Sequence, residues 1–113
     1  MPTILNKTKG NTVSGQAKIA DSFLKRLIGL TFRKDMAEDE ALIFYQASSI
    51  HTFFMRFPID LVFLNKEKRI IRIVEAIRPW KAVFCSGAYL TLELPPNKAK
   101  KVNLELDDVL DVV

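Results

Sequence analysis

The segment from Ala88 to Leu94 places the strongest constraint on the fold, because its residue types alternate with a period of two. Apolar Ala88, Leu90, Leu92 and Leu94 alternate with Tyr89, Thr91 and Glu93. Successive side chains of a β-strand point to opposite faces of the sheet, so this alternation predicts a half-buried strand. Leu94 is expected to face the core.

Other short segments have the composition of strands, and turn signals separate them. Thr3–Lys9 and Thr12–Ile19 are predicted to form a hairpin across Gly10, since glycine tolerates the positive φ of a tight turn. Asp60–Leu64 and Arg69–Ile77 are predicted to form a second hairpin across the polar turn Asn65–Lys68. Further strands are expected at Ala41–Gln46, Thr52–Met55, Val102–Leu106 and Val109–Val113.

Helical signals are few and short. Asp21 or Ser22 can cap a short helix that Gly29 would end, and Pro95-Pro96-Asn97 can begin another that reaches Lys101. A parallel α/β fold would need a helix after each strand. The sequence therefore predicts a mainly β protein: a small antiparallel β-barrel or jelly-roll-like sandwich with one or two short helices, forming a single domain over residues 1–113.

Size and composition define the class of protein. The chain has 113 residues, 49% hydrophobic and 27% charged, which is typical of one soluble globular domain. Its longest apolar run, Ala41–Tyr45, is far shorter than the roughly 20 residues of a membrane helix. The start of the chain lacks the pattern of a signal peptide, and a single cysteine, Cys85, agrees with a reducing compartment. We therefore expect a cytoplasmic protein without membrane contact.

Charge gives little support for nucleic-acid binding. The formal net charge is +4, and the basic residues are spread along the chain among 13 acidic ones. Lys98, Lys100 and Lys101 form the densest basic group, but no stacking aromatic residue stands beside them. A solvated helix face is the simpler interpretation of this group.

Several kinds of chemistry are disfavoured by the residue inventory. His51 is the one histidine and Cys85 the one cysteine, which leaves too few ligands for a typical zinc centre, so no metal is predicted. The four glycines are isolated from one another and form no phosphate-binding loop. We predict no cofactor. A thiol mechanism at Cys85 would need His51 close in space, and a semi-buried structural thiol is the simpler interpretation.

The segment from His51 to Asp60 mixes polar and apolar residues more closely than a simple core strand would. One interpretation is that His51, Arg56 and Asp60 converge on a cleft, where the guanidinium binds an anionic group and the imidazole titrates near neutral pH. The alternative is structural: Arg56 and Asp60 pair around Pro58, and His51 is a satisfied, partly buried side chain. Arg78-Pro79-Trp80 is a second candidate for lining the cleft or for structural packing.

Four blocks of this sequence resemble a known family. They are Gly29-Leu30-Thr31-Phe32-Arg33, the long block from Ile50 to Leu64, Arg78-Pro79-Trp80, and Leu92-Glu93-Leu94-Pro95. In this order they resemble the signature blocks of the domain of unknown function 192 family, a conserved bacterial and archaeal group. The positions that match its motif residues are Arg33, His51, Met55, Arg56, Pro58, Asp60, Glu93 and Pro95. The resemblance implies a small β-rich fold without an established activity, and Thr31 departs from it, because the family usually has methionine there.

Three functional hypotheses follow. The first is a non-catalytic binding module whose cleft near His51, Arg56 and Asp60 accepts a small anionic ligand or a peptide. The second is an enzyme that uses His51 or Asp60 as general base in a site completed by Arg78 or Arg33. The third is a nucleic-acid-binding β module. Under the first hypothesis, the candidate ligand-binding residues are His51, Arg56, Asp60, Arg33, Arg78 and Trp80, and the chain is expected to be a monomer or a weak homodimer.

Overall fold

Ten β-strands and one short helix make up the part of the chain that the computed structural model describes, residues 2–20, 33–46 and 48–113. In chain order they are β1 (Ile4–Asn6), β2 (Asn11–Ser14), β3 (Gln16–Ile19), β4 (Glu40–Tyr45), β5 (Ser49–His51), β6 (Ile59–Leu64), β7 (Ile70–Ile77), β8 (Ala82–Phe84), β9 (Leu90–Leu94), α1 (Lys98–Lys101) and β10 (Leu110–Val112). The prediction of a mainly β protein is confirmed. The helix predicted after Asp21 or Ser22 lies outside the described residues.

The strands form three sheets. Their orders are β10-β1-β2, β3-β4-β9-β6-β7 and β5-β8, and none of these sheets closes on itself within the described ranges. The barrel alternative is therefore not supported, whereas stacked open sheets are compatible with a sandwich. One strand pair departs from the predicted antiparallel arrangement, because β3 and β4 run parallel, with Gln16 opposite Glu40. Residues 20–39 separate these two strands, which is long enough for the crossover that a parallel pair requires.

Strand β9 is the centre of the five-stranded sheet and is buried on both faces. It lies between β4 and β6, and all five of its residues are buried. One face carries an apolar cluster that includes Ile43, Val62 and Leu92, and the other carries a second cluster that includes Leu42, Leu61 and Phe63. The predicted alternation is confirmed as a strand, but the expectation of a solvated second face is wrong, because the second cluster covers it.

The two predicted hairpins are present, one of them with a break. In the β6–β7 turn, Asn65 Oδ1 accepts hydrogen bonds from the backbone N–H groups of Glu67 and Arg69, each at 3.0 Å. The second arm of the first hairpin is interrupted at Gly15, whose N–H donates to Asp39 Oδ1 at 2.8 Å. A side chain at this position would place its Cβ 2.6 Å from Asp39 Oδ2, so the chain passes from one sheet to the other at a glycine.

The C-terminal segments differ from prediction in one place. The short helix before Val102 is confirmed, and so is the last strand, which pairs with β1. Val102–Leu106, predicted as a strand, instead ends the helix. Asn103 adopts a φ of 59°, and the N–H of Leu104 donates back to the carbonyl of Ala99 at 2.9 Å. These bonds satisfy the last carbonyls of α1 and take the backbone out of an extended conformation.

Within the described ranges, no helix is long and apolar enough to span a bilayer.

Candidate functional site

Buried Thr52 joins two turns at one end of the β5–β8 ribbon. Its N–H donates to the carbonyl of Lys81 at 2.7 Å, and its hydroxyl donates to the carbonyl of Arg78 at 2.8 Å. The hydroxyl also accepts from the N–H of Lys81 at 2.9 Å. Its carbonyl accepts from the N–H groups of Met55 and Trp80, at 3.2 and 3.0 Å. The turn that follows β5 and the turn that precedes β8 are therefore joined into one hydrogen-bonded unit.

Four ring side chains lie on the surface of this unit, and we call them the aromatic patch: His51, Phe53, Phe54 and Trp80. The ring centroid of Phe53 lies 4.9 Å from that of His51 and 5.9 Å from that of Trp80, and the ring centroid of Phe54 lies 4.7 Å from that of Trp80. Phe53, Phe54 and Trp80 are 41%, 53% and 57% exposed. Exposed apolar surface that is contiguous in this way is typical of a contact site rather than of scattered surface residues.

The backbone at the outer positions of the patch is unusual for bulky residues. Phe54 has a φ of 63° and Trp80 a φ of 66°, both in the left-handed region. That region costs about 1–2 kcal/mol for a residue with a side chain, and its occupants cluster at functional sites. The hydrogen bonds of Thr52 hold the two turns in these conformations. These hydrogen bonds therefore keep two strained aromatic residues side by side in solvent.

The two segments that carry the patch contain basic residues and no acidic ones. The segments 48–58 and 78–88 contain Arg56, Arg78 and Lys81 and no aspartate or glutamate, although the whole chain has 13 acidic residues. All three basic residues are exposed. Among the described residues, none forms a hydrogen bond or ion pair with the side chains of Arg56 and Arg78. The predicted pair between Arg56 and Asp60 is not formed.

Asp60 lies apart from the patch, in the five-stranded sheet, and is fully buried. Its Oδ1 accepts from the N–H groups of Ala76 at 2.7 Å and Asn97 at 3.0 Å, and its Oδ2 accepts from the N–H of Ala99 at 2.9 Å. Three backbone donors thus bind this carboxylate, which attaches the start of α1 to β6 and β7. The structure does not bring Asp60 to a common surface with His51 and Arg56, and we leave it out of the candidate site.

Arg33 is also engaged elsewhere. Its guanidinium forms a two-pronged ion pair with Glu40, at 2.5 and 2.8 Å, at the start of β4. Hydrogen bonding to Arg33 keeps the pKa of the Glu40 carboxyl below its usual value. The N–H of Ala37 adds a third bond to the same carboxylate at 3.0 Å. This geometry stabilises the chain entering β4 and engages both terminal nitrogens of the Arg33 guanidinium with Glu40.

The geometry gives little support for acid–base catalysis. His51 Nδ1 accepts a hydrogen bond from the N–H of Phe53 at 3.3 Å, so that nitrogen is occupied by the local turn. The carboxylate of Asp60 is bound by three amides and buried. No group of three or more histidine, cysteine, aspartate or glutamate side chains suited to a metal ion occurs among the described residues.

Glu93 is a buried acid that the sequence pattern did not single out as buried. It lies opposite Leu42 of β4 and Leu61 of β6, on the face of the second apolar cluster, and is 5% exposed. No described residue forms a hydrogen bond with its carboxyl group. Burial raises the pKa of Glu93 to about 8. In a half-buried strand this residue would have faced solvent, so only the covered second face explains the shift.

Sequence reasoning also missed the arrangement of Phe53 and Phe54. A strand over Thr52–Met55 would have put the two rings on opposite faces, but residues 53 and 54 form a turn and both rings reach Trp80. The signal was present as two adjacent phenylalanines before Pro58, since adjacent large apolar residues fit a turn tip better than a one-sided strand. The candidate site that remains is the aromatic patch with Arg56, Arg78 and Lys81.

Residues 4–112 of this chain match the sequence model of a known protein family. The chain belongs to the domain of unknown function 192 family, described as an uncharacterised conserved group. A relative from Pyrococcus furiosus, named UPF0127 protein, is 37% identical over 96% of this chain and 96% of its own length. Another of that name from Thermococcus sibiricus is 36% identical over 96% of this chain and 73% of its own length.

Two crystal structures resemble this member of the family in fold. A Sinorhizobium meliloti protein described as a proposed transcription regulator has a TM-score of 0.83 at 20% identity, covering 98% of this chain and 91% of the other. A Novosphingobium aromaticivorans protein of unknown function has a TM-score of 0.81 at 17% identity, covering 97% and 82%. At these identities the likeness concerns the fold alone.

Proposed function

We propose that this chain is a non-catalytic binding module that holds an anionic peptide segment of a partner protein against the aromatic patch and its basic neighbours. The observation that carries the proposal is the pair Phe54 and Trp80. Both rings are more than half exposed, both backbones are held in the left-handed region, and the rings lie 4.7 Å apart. A fold that needed only stability would gain by removing either feature.

Aromatic exposure supports a contact with another polypeptide. Fully burying a phenylalanine side chain stabilises by about 1.5–3 kcal/mol, so rings left in solvent forgo that contribution until a partner covers them. Tryptophan and arginine are also the residues most enriched among those that dominate binding energy in protein interfaces. Exposed Trp80, Arg56 and Arg78 provide this combination within the two segments that carry the patch.

Charge supports an acidic partner. The segments 48–58 and 78–88 carry three basic and no acidic residues. A carboxylate from the partner can accept two parallel hydrogen bonds from a guanidinium, and such charge-assisted pairs are stronger than neutral ones. Arg56 and Arg78 have no such bond with any described residue, so their donors are available.

A peptide fits this surface better than a small molecule does. Small-ligand sites bury most of the ligand in a concave cavity. Here Phe53, Phe54 and Trp80 are each at least 41% exposed, which leaves their outer surfaces open to a larger partner. The small anionic ligand of the first hypothesis is therefore the less favoured form of the same proposal.

Single-stranded nucleic acid is the second candidate, and one observation favours it. The rings of Phe53 and Trp80 are stacked, with 27° between their planes and 5.9 Å between their centres. Arg78 and Lys81 stand close to Trp80 in the sequence. Stacking platforms of this kind bind bases without sequence preference. It ranks second because rings already packed on one another present fewer free faces to bases.

Selection of peptides from a displayed random library of seven-residue sequences tests the proposal. The wild-type chain should enrich sequences rich in aspartate and glutamate with at least one large apolar residue, and these should bind the Trp80→Asn variant at least about tenfold more weakly. Asparagine tolerates the left-handed backbone, so the variant should keep its fold.

Leu106→Asn is the matched control, because Leu106 is 59% exposed but lies in a different turn, and it should bind like the wild type. Arg56→Glu should weaken binding of the selected peptides, while Lys66→Glu on the β6–β7 turn should not. Failure to enrich any peptide whose binding depends on Trp80 would refute the proposal. Trp80-dependent binding of an oligothymidine probe in its place would establish the second candidate.

A further inference from the structure

The hydrogen-bond pattern of the β5–β8 ribbon fixes which of its peptide groups point outward. Beyond one end, the N–H of Thr52 donates to the carbonyl of Lys81 at 2.7 Å, and beyond the other, the N–H of Cys85 donates to the carbonyl of Ser48 at 2.7 Å. In an antiparallel pair, bonded and non-bonded residue pairs alternate. Ile50 and Val83 lie opposite each other, two positions from each of these bonded pairs. They are therefore also a bonded pair.

Ser49 and His51 belong to the non-bonded pairs of this ladder. Ser49 lies opposite Phe84, and His51 lies opposite Ala82. Their N–H and C=O groups accordingly point away from β8, along the outer edge of β5. Both residues are exposed, and no described residue forms a hydrogen bond with these peptide groups.

The opposite edge of the ribbon is covered in part. The carbonyl of Phe84 accepts a hydrogen bond from Nη1 of Arg72, on the edge strand of the five-stranded sheet, at 3.1 Å. The edge of β5 has no such contact within the described residues. It also lacks lysine, proline and a β-bulge, the features that usually protect an edge from pairing with another chain.

The exposed face of the ribbon continues into the aromatic patch. Ile50 and Val83 pack inward against the second apolar cluster, so Ser49, His51, Ala82 and Phe84 face outward. His51 is a member of the patch, and its ring contacts Phe53. A strand laid along β5 would therefore run directly toward the proposed binding surface.

We propose that the free edge of β5 receives an extended acidic peptide as a third strand of the β5–β8 ribbon. The proposal rests on the proposed function and specifies how the peptide is held. Main-chain hydrogen bonds to Ser49 and His51 supply affinity that does not depend on sequence, and side chains at alternate positions supply specificity. Three edge residues span about 10 Å, so a partner strand of three or four residues suffices.

The charges of this region select the acidic peptide as occupant. Arg56, Arg78 and Lys81 lie in the two segments that include β5 and β8, and these segments contain no acidic residue. A basic strand would place like charges beside them, and such contacts are destabilising. A second copy of this chain is a poorer occupant, because its own β5 region brings the same positive charge.

Amide hydrogen exchange followed by NMR tests the strand addition directly. The probe is the peptide most strongly enriched from the seven-residue library. In the free protein the outward amides of Ser49 and His51 should exchange rapidly. On saturation with the peptide, both should slow at least about tenfold, whereas the amide of Ile50, already bonded within the ribbon, should change little.

Two further measurements separate backbone pairing from side-chain contact. Two N-methylated peptides are compared, one methylated at the odd-numbered residues and one at the even-numbered residues. In an added strand only one of these sets of N–H groups faces β5. The peptide methylated at that set should lose binding, and the other should keep an affinity close to that of the unmodified peptide. Ser49→Pro removes an outward N–H that the ribbon does not use, so it should weaken binding at least about tenfold with little change in Tm. Ala82→Pro makes the same change on the other edge and should leave binding unaltered.

The outcomes distinguish the two proposals. If peptides bind in a Trp80-dependent manner but the exchange of Ser49 and His51 is unchanged and both N-methylated series still bind, strand addition is wrong while the proposed function stands. If no peptide binds in a Trp80-dependent manner, the proposed function fails and the strand addition fails with it. Should Ser49→Pro or Ala82→Pro not fold, the exchange and N-methylation measurements decide on the wild-type chain.

Discussion

Glutamine in place of Glu93 removes a titrating group from the interior of the five-stranded sheet. The carboxyl lies between Leu42 and Leu61, and burial raises its pKa to about 8 from the ordinary value of 4.5. In the unfolded chain the same group titrates near the ordinary value. Between these two pH values the folded protein keeps a proton on Glu93 that the unfolded chain releases.

The sign and size of the effect follow from this difference. When the folded state binds more protons than the unfolded state, the free energy of unfolding falls as pH rises, by up to about 1.4 kcal/mol per pH unit for one group. A pKa raised from 4.5 to about 8 then removes about 5 kcal/mol between pH 4.5 and pH 8, and nothing further above pH 8. Glu93→Gln eliminates this loss, because glutamine does not titrate.

The assay is urea unfolding followed by far-ultraviolet circular dichroism at half-unit steps from pH 4.5 to 9. The stability of Glu93→Gln minus that of the wild type should increase by about 5 kcal/mol across this window and then level off. Any constant cost of burying the glutamine amide shifts the whole curve and leaves its slope unchanged. Glu67→Gln, on the exposed β6–β7 turn, controls for the loss of one carboxyl. A stability difference for Glu93→Gln that does not vary from pH 5 to 8 would refute the reasoning.

Three further substitutions test the structural framework. Thr52→Val should lower the free energy of unfolding by about 1–3 kcal/mol, because backbone groups of the turn that precedes β8 lose their hydroxyl partner. It should also weaken peptide binding. Unchanged denaturant curves would contradict this prediction. Asp60→Asn should cost about 2–4 kcal/mol in the same assay, since an amide cannot accept from three N–H donors as a carboxylate does, and a change below about 0.5 kcal/mol would show the bonds to be unimportant. Arg33→Gln should lower the free energy of unfolding by about 1 kcal/mol at pH 7. This cost should fall as acid protonates Glu40, whose pKa Arg33 lowers, and a cost that does not change on acidification would be inconsistent with the ion pair.

Local sequence patterns predicted most strands, because turn residues and the alternation of polar and apolar residues mark where those strands begin and end. The β6–β7 hairpin follows from its polar turn, where Asn65 bonds its own neighbours, and the short helix follows from the prolines before Lys98. The pattern could not reveal that β9 is central, since burial of Thr91 and Glu93 depends on a second apolar layer supplied by residues far away in sequence. The parallel pairing of β3 with β4 is likewise a property of the whole topology.

The candidate site was predictable in part. His51, Arg56, Arg78 and Trp80 were selected from sequence, and all four belong to the two segments that Thr52 joins. Asp60 was grouped with them because it is near in sequence, yet the chain turns between Met55 and Ile59 and carries it into another sheet. Residues that are close in sequence need not place their side chains on the same surface once the backbone between them turns. The predictions of a cytoplasmic location and of a monomer or weak homodimer stay predictions.

The pairing of β1 with β10 has a consequence for how the molecule forms. Ile4 lies opposite Val112, and the N–H of Thr3 donates to the carbonyl of Val113 at 2.8 Å. Contacts between residues so distant in sequence form slowly, because a long loop must close first. During synthesis the first strand has to wait for residues made more than a hundred positions later, and until then one of its edges can pair with another nascent chain. Deleting residues 110–113 should therefore promote aggregation more strongly than the loss of four residues would suggest.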